Sequence, residues 1–420
     1  MKKQLTSMLS IAIIAFLTIT GFPPAGKAFV IIEATATNNR LRKTDKPIRN
    51  EYIVVLKTDV SRWDLEGRAN EIAGTFGGEI FFYYKHALKG FAVRMSEPAA
   101  LALSRHPLVD FVEENGADEP SGTQTPTPNW GLDRIDQFSL PLNDTYNYPG
   151  DGTGVHAFVI DTGILYTHQD FKRANGTSRV DLANSVDLSS DGFGISDCNG
   201  HGTAVASVLG GKIYGVAKNV TLYSVRIGNC TGMATIAQKV AGLDYVAGKT
   251  NLRPAVANYS WNNTSFGSPD SIGVAAQGVI NSGVTLVNSA GNNNADASAY
   301  TPTNLPAVIV AGATDIVDRR STWTYPPATT VYASNFGSLV DLFAPGIDLR
   351  TAGISSNNGI DTRSGTSFAA PHVAGAAAIY LQTNPFATPA QVQSFIVNRA
   401  APGKVRNVPV GTTQKLLYVY

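Results

Sequence analysis

The sequence predicts an α/β fold, a parallel sheet with helices on both faces, preceded by a small α+β unit. Three observations carry that prediction. Beyond residue 129, short apolar runs at 157–160, 222–225, 255–258, 284–287 and 308–311 recur with helix-forming stretches between them. Strands apolar on both faces belong to parallel sheets covered on both sides. Before residue 115 the pattern instead reads β-α-β-β-α-β, the order of a ferredoxin-like unit. Between the two, residues 115–129 are rich in Pro, Gly, Thr and Asp without periodicity, which marks an exposed, easily cut boundary.

The N-terminus reads as an export signal. Lys2 and Lys3 precede an apolar run from Met8 to about residue 19, and small residues around Gly26 and Ala28 offer a cleavage site. The run is short for a membrane span, so residues 1–28 are expected to be a secretory signal peptide that is removed. The mature protein is then secreted and keeps no membrane contact. Residues 29–50 are mixed and polar and read as a linker. A buried strand follows at 51–57, and Trp63, Leu65, Ile72 and Phe76 fall on a helix ending at Gly77-Gly78. Strands at 80–84 and 90–93, a short helix at 98–104 and a strand at 109–113 complete the first unit, folded over about 51–115. A unit of that size is marginally stable by itself.

Composition excludes some functions. A formal net charge of +1 without runs of like charge gives no reason to expect a nucleic-acid partner. Two cysteines, Cys198 and Cys230, read as one disulfide in an exported chain, with two free thiols as the alternative. Two cysteines without a histidine cluster make no zinc site.

Four segments carry chemistry. The run 157–160 leads into Asp161-Thr162-Gly163, and open α/β sheets place their sites at the carboxyl ends of such strands. A turn or cap is the structural alternative, and the second Asp-Thr-Gly that an aspartic protease needs does not occur. His201 stands between Gly200 and Gly202, which leave its ring accessible, whereas His86, His106, His156, His168 and His372 lack such a setting and are expected to be structural or exposed. The run 284–287 leads to Ser289-Ala290-Gly291-Asn292, whose amide either caps a helix or donates to an oxyanion. Finally, Arg363-Ser364-Gly365-Thr366-Ser367 is a glycine turn followed by small residues suited to a close-packed helix. Pro371 is expected in the first helical turn, where its missing N–H costs nothing, with Ser367 at the positive end of the dipole. Serine is also a favoured N-cap, so capping stays open.

Together these residues supply every role in serine acyl transfer. Ser367 is the candidate nucleophile, His201 the proton acceptor and donor, and Asp161 the group that orients the imidazole; Asn292 and the Ser367 N–H form the oxyanion hole. A pseudoprotease that only binds peptides would normally lack one of the three, and all three are present.

On these motifs, in the order Asp, His, Asn, Ser, the sequence resembles the subtilisin-like serine proteases, within them the proteinase K and aqualysin branch. The resemblance covers nearly all of 129–420 and implies a protease with protein and peptide substrates, no cofactor for catalysis and a monomeric state. It implies that 29–121 is an inhibitory propeptide, a partner of its own chain that templates folding and is then removed, ahead of a catalytic domain at 122–420. Cys198 and Cys230 sit where aqualysin-like enzymes place a disulfide. The resemblance also implies structural calcium, held by the carbonyls of Pro306 and Val308 with the Asp341 carboxylate, and a second ion near Asp133, Asp136 and the Gln137 carbonyl. Substrate is expected to lie between Gly232 and Ala234 on one side and Ser260, Trp261 and Asn262 on the other. The family's usual Ser-Leu-Gly-Gly is here Ser260-Trp261-Asn262-Asn263, which implies a narrower or more polar pocket before the cut. The residue after the nucleophile, usually methionine, is Phe368, and a segment at 325–332 reads as an insertion.

Overall fold

The structure is a computed structural model that describes residues 40–44, 47–58, 60–61, 63–116, 122–265, 270–324 and 329–420. The expected signal at 1–28, the stretch to 39, the junction at 117–121 and part of the 325–332 insertion lie outside the described residues. The chain divides into two compact units, Met1–Asp118 and Glu119–Tyr420.

In the first unit, a five-stranded sheet runs in the spatial order Leu41–Arg42, Val109–Gly116, Pro47–Leu56, Gly90–Arg94, Glu79–Tyr84. The last four have the ferredoxin-like arrangement expected of β-α-β-β-α-β. Alternate residues Tyr52, Val54 and Leu56 join Leu65, Ala69 and Ile72 of one helix and Ala100 and Leu103 of the other in a single core. Two expectations change. The stretch read as a linker to residue 50 contains the strand Leu41–Arg42, which pairs in parallel with Val112 and Glu113, and the first residues of Pro47–Leu56. Leu41 is buried in the core but its strand is only two residues long, and Pro47, Arg49 and Asn50 are exposed, so neither stretch shows apolar periodicity. Trp63 is fully exposed and precedes the helix, which begins at Leu65 after Asp64.

The second unit is a seven-stranded parallel sheet in the order Leu342–Pro345, Ile309–Thr314, Val284–Ser289, Ala255–Tyr259, His156–Asp161, Thr221–Arg226, Val186–Asp187. Helices cover both faces, because neighbouring residues of each strand point to opposite sides. Ala157 and Val159 enter one core with the helices His201–Gly210 and Thr366–Thr383, while Phe158 and Ile160 enter the other with Ile236–Gly248 and Ser271–Asn281. Of the two outer strands, Val186–Asp187 is too short to show a pattern, while Leu342–Pro345 is apolar and buried throughout but only four residues long.

Cys198 and Cys230 form a disulfide, which removes the two-thiol alternative. It ties the segment leading to Gly200 and His201 to the loop after Thr221–Arg226, beside a hydrogen bond from Asn199 Nδ2 to the Cys230 carbonyl at 3.2 Å. Changing both cysteines to serine in an inactive Ser367→Ala background should lower unfolding free energy by about 3–4 kcal/mol, from loop entropy alone. Urea titration measures it, and an unchanged midpoint would show that the loop is held without the bond.

Candidate active site

The site forms where the sheet reverses its winding. His156–Asp161 lies between Thr221–Arg226 and Ala255–Tyr259, so the chain leaves it first to one side and later to the other. Connections part at such a point and open a crevice beyond the strand ends. Asp161 is the last residue of the strand and fully buried. Its Oδ1 accepts from Thr162 N at 2.8 Å and from His201 Nδ1 at 2.7 Å. A carboxylate only accepts, so His201 carries a proton on Nδ1 and keeps the Nε2 lone pair when neutral.

His201 opens the helix His201–Gly210, after Gly200 at φ +100°, where side chains are disfavoured. Asp197 holds this entry together. Its carboxylate accepts from Asn199 N, Gly200 N, Thr203 N and Oγ1, and Thr162 Oγ1, at 2.7–3.0 Å. Asp197 was missed in the sequence; its signal is an aspartate placed two and three residues before backbone N–H groups in a turn. Burial alone pushes the His201 pKa down, but the Asp161 charge and hydrogen bond outweigh it, with Arg363 opposing and Asp197 assisting. The net shift is upward from 6.5.

Ser367 is the second residue of the helix Thr366–Thr383, whose N-cap is Gly365, so Ser367 is not a cap. Phe368, beside it, has its ring 5.4 Å from that of His201, which brings the helix start and the imidazole together. Pro371 lies in the second turn and not the first. Its absent N–H leaves the Ser367 carbonyl without a helical donor. Ser260 Oγ donates to that carbonyl at 3.1 Å and accepts from Asn258 Nδ2 at 2.9 Å. Asn292 Oδ1 accepts from Thr366 N at 3.0 Å and Thr366 Oγ1 at 2.7 Å. A backbone N–H only donates, so the amide orientation is fixed and Nδ2 is the end left to donate.

With this geometry in view, comparison with known proteins is decisive. The model of the subtilase family matches residues 152–415, and that of peptidase inhibitor I9 matches 51–117. The chain belongs to the subtilase family. It is 41% identical over 354 residues to an extracellular serine proteinase of Thermus sp. (strain Rt41A), covering 84% of this chain and 81% of that one. It is 40% identical to alkaline serine exoprotease A of Vibrio alginolyticus over 83% of this chain and 62% of that longer relative. A solved structure of a cold adapted subtilisin-like serine proteinase is similar at TM-score 0.61 and 44% identity, covering 69% of this chain and 98% of that one. The protein is therefore a secreted, subtilisin-like serine endopeptidase with an inhibitor-type N-terminal unit. No helix among the described residues is long and apolar enough to cross a membrane.

The subtilase's expected substrate residues divide into two groups. Gly232, Ser260 and Trp261 line a cavity of ≈ 170 Å³ together with Thr162, Asn199 and His201. Ala234 packs with Trp261 against the neighbouring core. Asn262 is tied at both ends: its Nδ2 donates to the Ser289 carbonyl at 2.9 Å, and its Oδ1 accepts from Asn288 Nδ2 at 2.9 Å. A polar amide thus spans the strand ends after Tyr259 and Ser289.

Of the expected calcium ligands, one set fits and one does not fit as expected. Gln393 Nε2 donates to the Pro306 carbonyl at 2.9 Å and to the Val308 carbonyl at 3.5 Å, so the two carbonyls face one side chain, while Asp341 Oδ2 accepts from Val310 N at 2.8 Å. Burial pushes the Asp341 carboxyl up to about 6, with hydrogen bonds from Val310 and Gln393 opposing. Two carbonyls facing one amide, with a carboxylate costly to bury among the expected ligands, suit a hard cation. In the second set, Asp136 Oδ1 is buried without a partner, which suits a cation. The Gln137 carbonyl, however, accepts from Arg134 Nη1 at 2.6 Å. A guanidinium at that distance repels another cation, so Gln137 does not fit, and Asp133 already accepts from Gln137 Nε2, Asn143 N and Asp144 N.

The imidazole gives a direct measurement. In Ser367→Ala, the His201 NMR titration should have its midpoint above the ordinary 6.5, and Asp161→Asn should bring it down. The sign follows from linkage: a raised folded pKa adds stability that is complete below the unfolded value and lost as pH rises through the folded one. A parent midpoint at or below 6.5 would contradict the dominance of Asp161 over burial.

Proposed function

We propose that this subtilase hydrolyses peptide bonds through an acyl-enzyme on Ser367. The observation that carries the reading is the 2.7 Å hydrogen bond from His201 to buried Asp161, beside the helix start that bears Ser367. Ser367 Oγ attacks the scissile carbonyl carbon while His201 Nε2 takes its proton; Asp161 holds the imidazole tautomer and stabilises the imidazolium. Asn292 Nδ2 and the Ser367 N–H, which has no helical acceptor, stabilise the developing oxyanion. His201 returns the proton to the leaving amine, and water then cleaves the ester with the same base. The peptide lies as an extended strand between Gly232 and Ala234 and Ser260 to Asn262, whose polar amide disfavours large aromatic residues before the cut.

The same reading makes the chain a self-processed zymogen acting as a monomer. Residues 1–28 direct export, 29–121 fold and inhibit, and 122–420 form the catalytic domain. A serine-directed phosphonylating reagent should label Ser367 alone and abolish casein cleavage. Ser367→Ala should accumulate as unprocessed precursor. Labelling elsewhere, or maturation of purified Ser367→Ala without added protease, would falsify the reading.

Calcium, when bound by Pro306, Val308 and Asp341, would neutralise the buried carboxylate and tie the 306–308 segment to it. In this chain the ion must displace the Gln393 amide, which serves the two carbonyls. A ligand that binds only the folded state raises stability by mass action. A chelator should therefore lower the melting temperature, and Gln393→Ala should widen the gap between calcium-loaded and chelated protein. No gap in either protein would sink the site.

A further inference from the structure

One buried side chain, used by no role above, holds the loop that carries Asn292. Asn335 is fully buried, two residues beyond the strand Val331–Ala333. Its backbone N–H donates to the Gly291 carbonyl at 2.8 Å, and its Nδ2 donates to the Ala290 carbonyl at 3.0 Å. Its Oδ1 accepts from Asn293 N at 2.9 Å and from Ala295 N at 3.1 Å. Asn292 is thus bracketed before and after by hydrogen bonds to a single residue. Contact is direct as well: Gly291 has φ +102°, and a Cβ there would lie 2.5 Å from Asn335 Nδ2. Nearby, Ala333 N donates to the carbonyl of Asn292 itself at 3.3 Å.

The chemistry of the position selects an amide. It must donate to one carbonyl and accept from two N–H groups within a single short planar group. Aspartate offers no donor, and an apolar residue offers neither function. Without Asn335 the Ala290 carbonyl and the Asn293 and Ala295 N–H groups lose their side-chain partner, and the loop must shift to find others.

We infer that Asn335 is a positioning residue for oxyanion stabilisation: it fixes the backbone from which Asn292 reaches the developing charge. Being buried, it touches no substrate. The inference rests on the role proposed above for Asn292. Oxyanion donors act within a few tenths of an ångström of an ideal distance, and a misplacement of about 1 Å can cost about 100-fold in rate. Ground-state binding does not use this donor, so the loss belongs in kcat and not in KM.

The experiment is a double-mutant cycle between Asn335 and Asn292 on a short chromogenic peptide, with circular dichroism and melting temperature confirming the fold. Asn335→Ala removes all three side-chain hydrogen bonds, and Asn335→Asp keeps the shape should alanine fail to fold. Each should lower kcat about 10- to 100-fold with KM held within about threefold. In an Asn292→Ala background the same change should cost less than about threefold, because the group being positioned is gone. Unchanged kcat in a folded Asn335 variant, or an equal loss in both backgrounds, overturns the inference and leaves a merely structural residue. If Asn292→Ala itself leaves kcat intact, the oxyanion reading fails, and the inference falls with it.

Discussion

Gly202 approaches the 161–163 turn so closely that no methyl group fits between them. A Cβ would lie 2.3 Å from the Gly163 carbonyl oxygen and 3.1 Å from the Asp161 Cβ. That contact fixes where the His201 helix starts relative to the end of the central strand, and so fixes the Asp161–His201 hydrogen bond. The same device recurs one layer away. A Cβ on Gly375 would lie 2.6 Å from the Val216 Cβ and 3.0 Å from the Leu209 carbonyl, so the helix bearing Ser367 packs on the helix bearing His201. Packing at crystal-like density transmits such distances without slack. The mutual geometry of aspartate, histidine and serine is therefore a consequence of backbone contacts that only glycine permits.

Charge is arranged around this frame with equal economy. Arg226 stands directly opposite Asp161 in the sheet ladder, and an unpaired guanidinium there would compete with His201 for the carboxylate. Arg226 is instead fully buried in a fork with Asp191, both bonds at 2.6 Å, and donates to the Thr162 carbonyl at 3.0 Å. The Arg226 hydrogen bonds hold the Asp191 carboxyl well below the usual range, so the fork persists as an ion pair through neutral pH. Thus the loop that carries Asp191 and Asp197 serves both ends of the site, neutralising the neighbour of Asp161 and capping the entry to His201.

What the sequence discloses depends on whether a residue's partner is local. Asp161, His201, Asn292 and Ser367 were legible because each ends or closely follows a strand or opens a helix within a short motif, where glycines and small residues announce the turn. The parallel sheet was legible from its doubly apolar strands. Leu41–Arg42 was not, because its pairing partner lies at Val112 and Glu113 and two residues, one buried and one exposed, are too few to show a period. Pro371 was placed a turn early, because Ser260, which satisfies the carbonyl that proline frees, is remote in sequence. Asn335 and Gln393 read as ordinary polar residues; only folding shows that each faces several backbone groups at once. The calcium expectation at Gln137 met a similar obstacle, since Arg134 turns back onto that carbonyl.

Several of the buried polar groups left without a protein partner gather at the site. Asp161 Oδ2, Asn258 Oδ1, Tyr259 Oη and Asn288 Oδ1 are buried and unpaired at the carboxyl ends of the three central strands, as is Trp261 Nε1 two residues past one of them. Others, such as Asp136 Oδ1, Thr314 Oγ1 and His372 Nε2, lie elsewhere. Each such group costs about 1–3 kcal/mol when no water or ligand satisfies it. Loops that only position the site show the opposite habit: the Asn335 side chain bonds three backbone groups, and Asp197 accepts five times. A sequence that satisfies its supporting loops so fully is able to satisfy its strand ends as well. That several stay unpaired where the sheet opens fits residues kept for chemistry at some cost to stability.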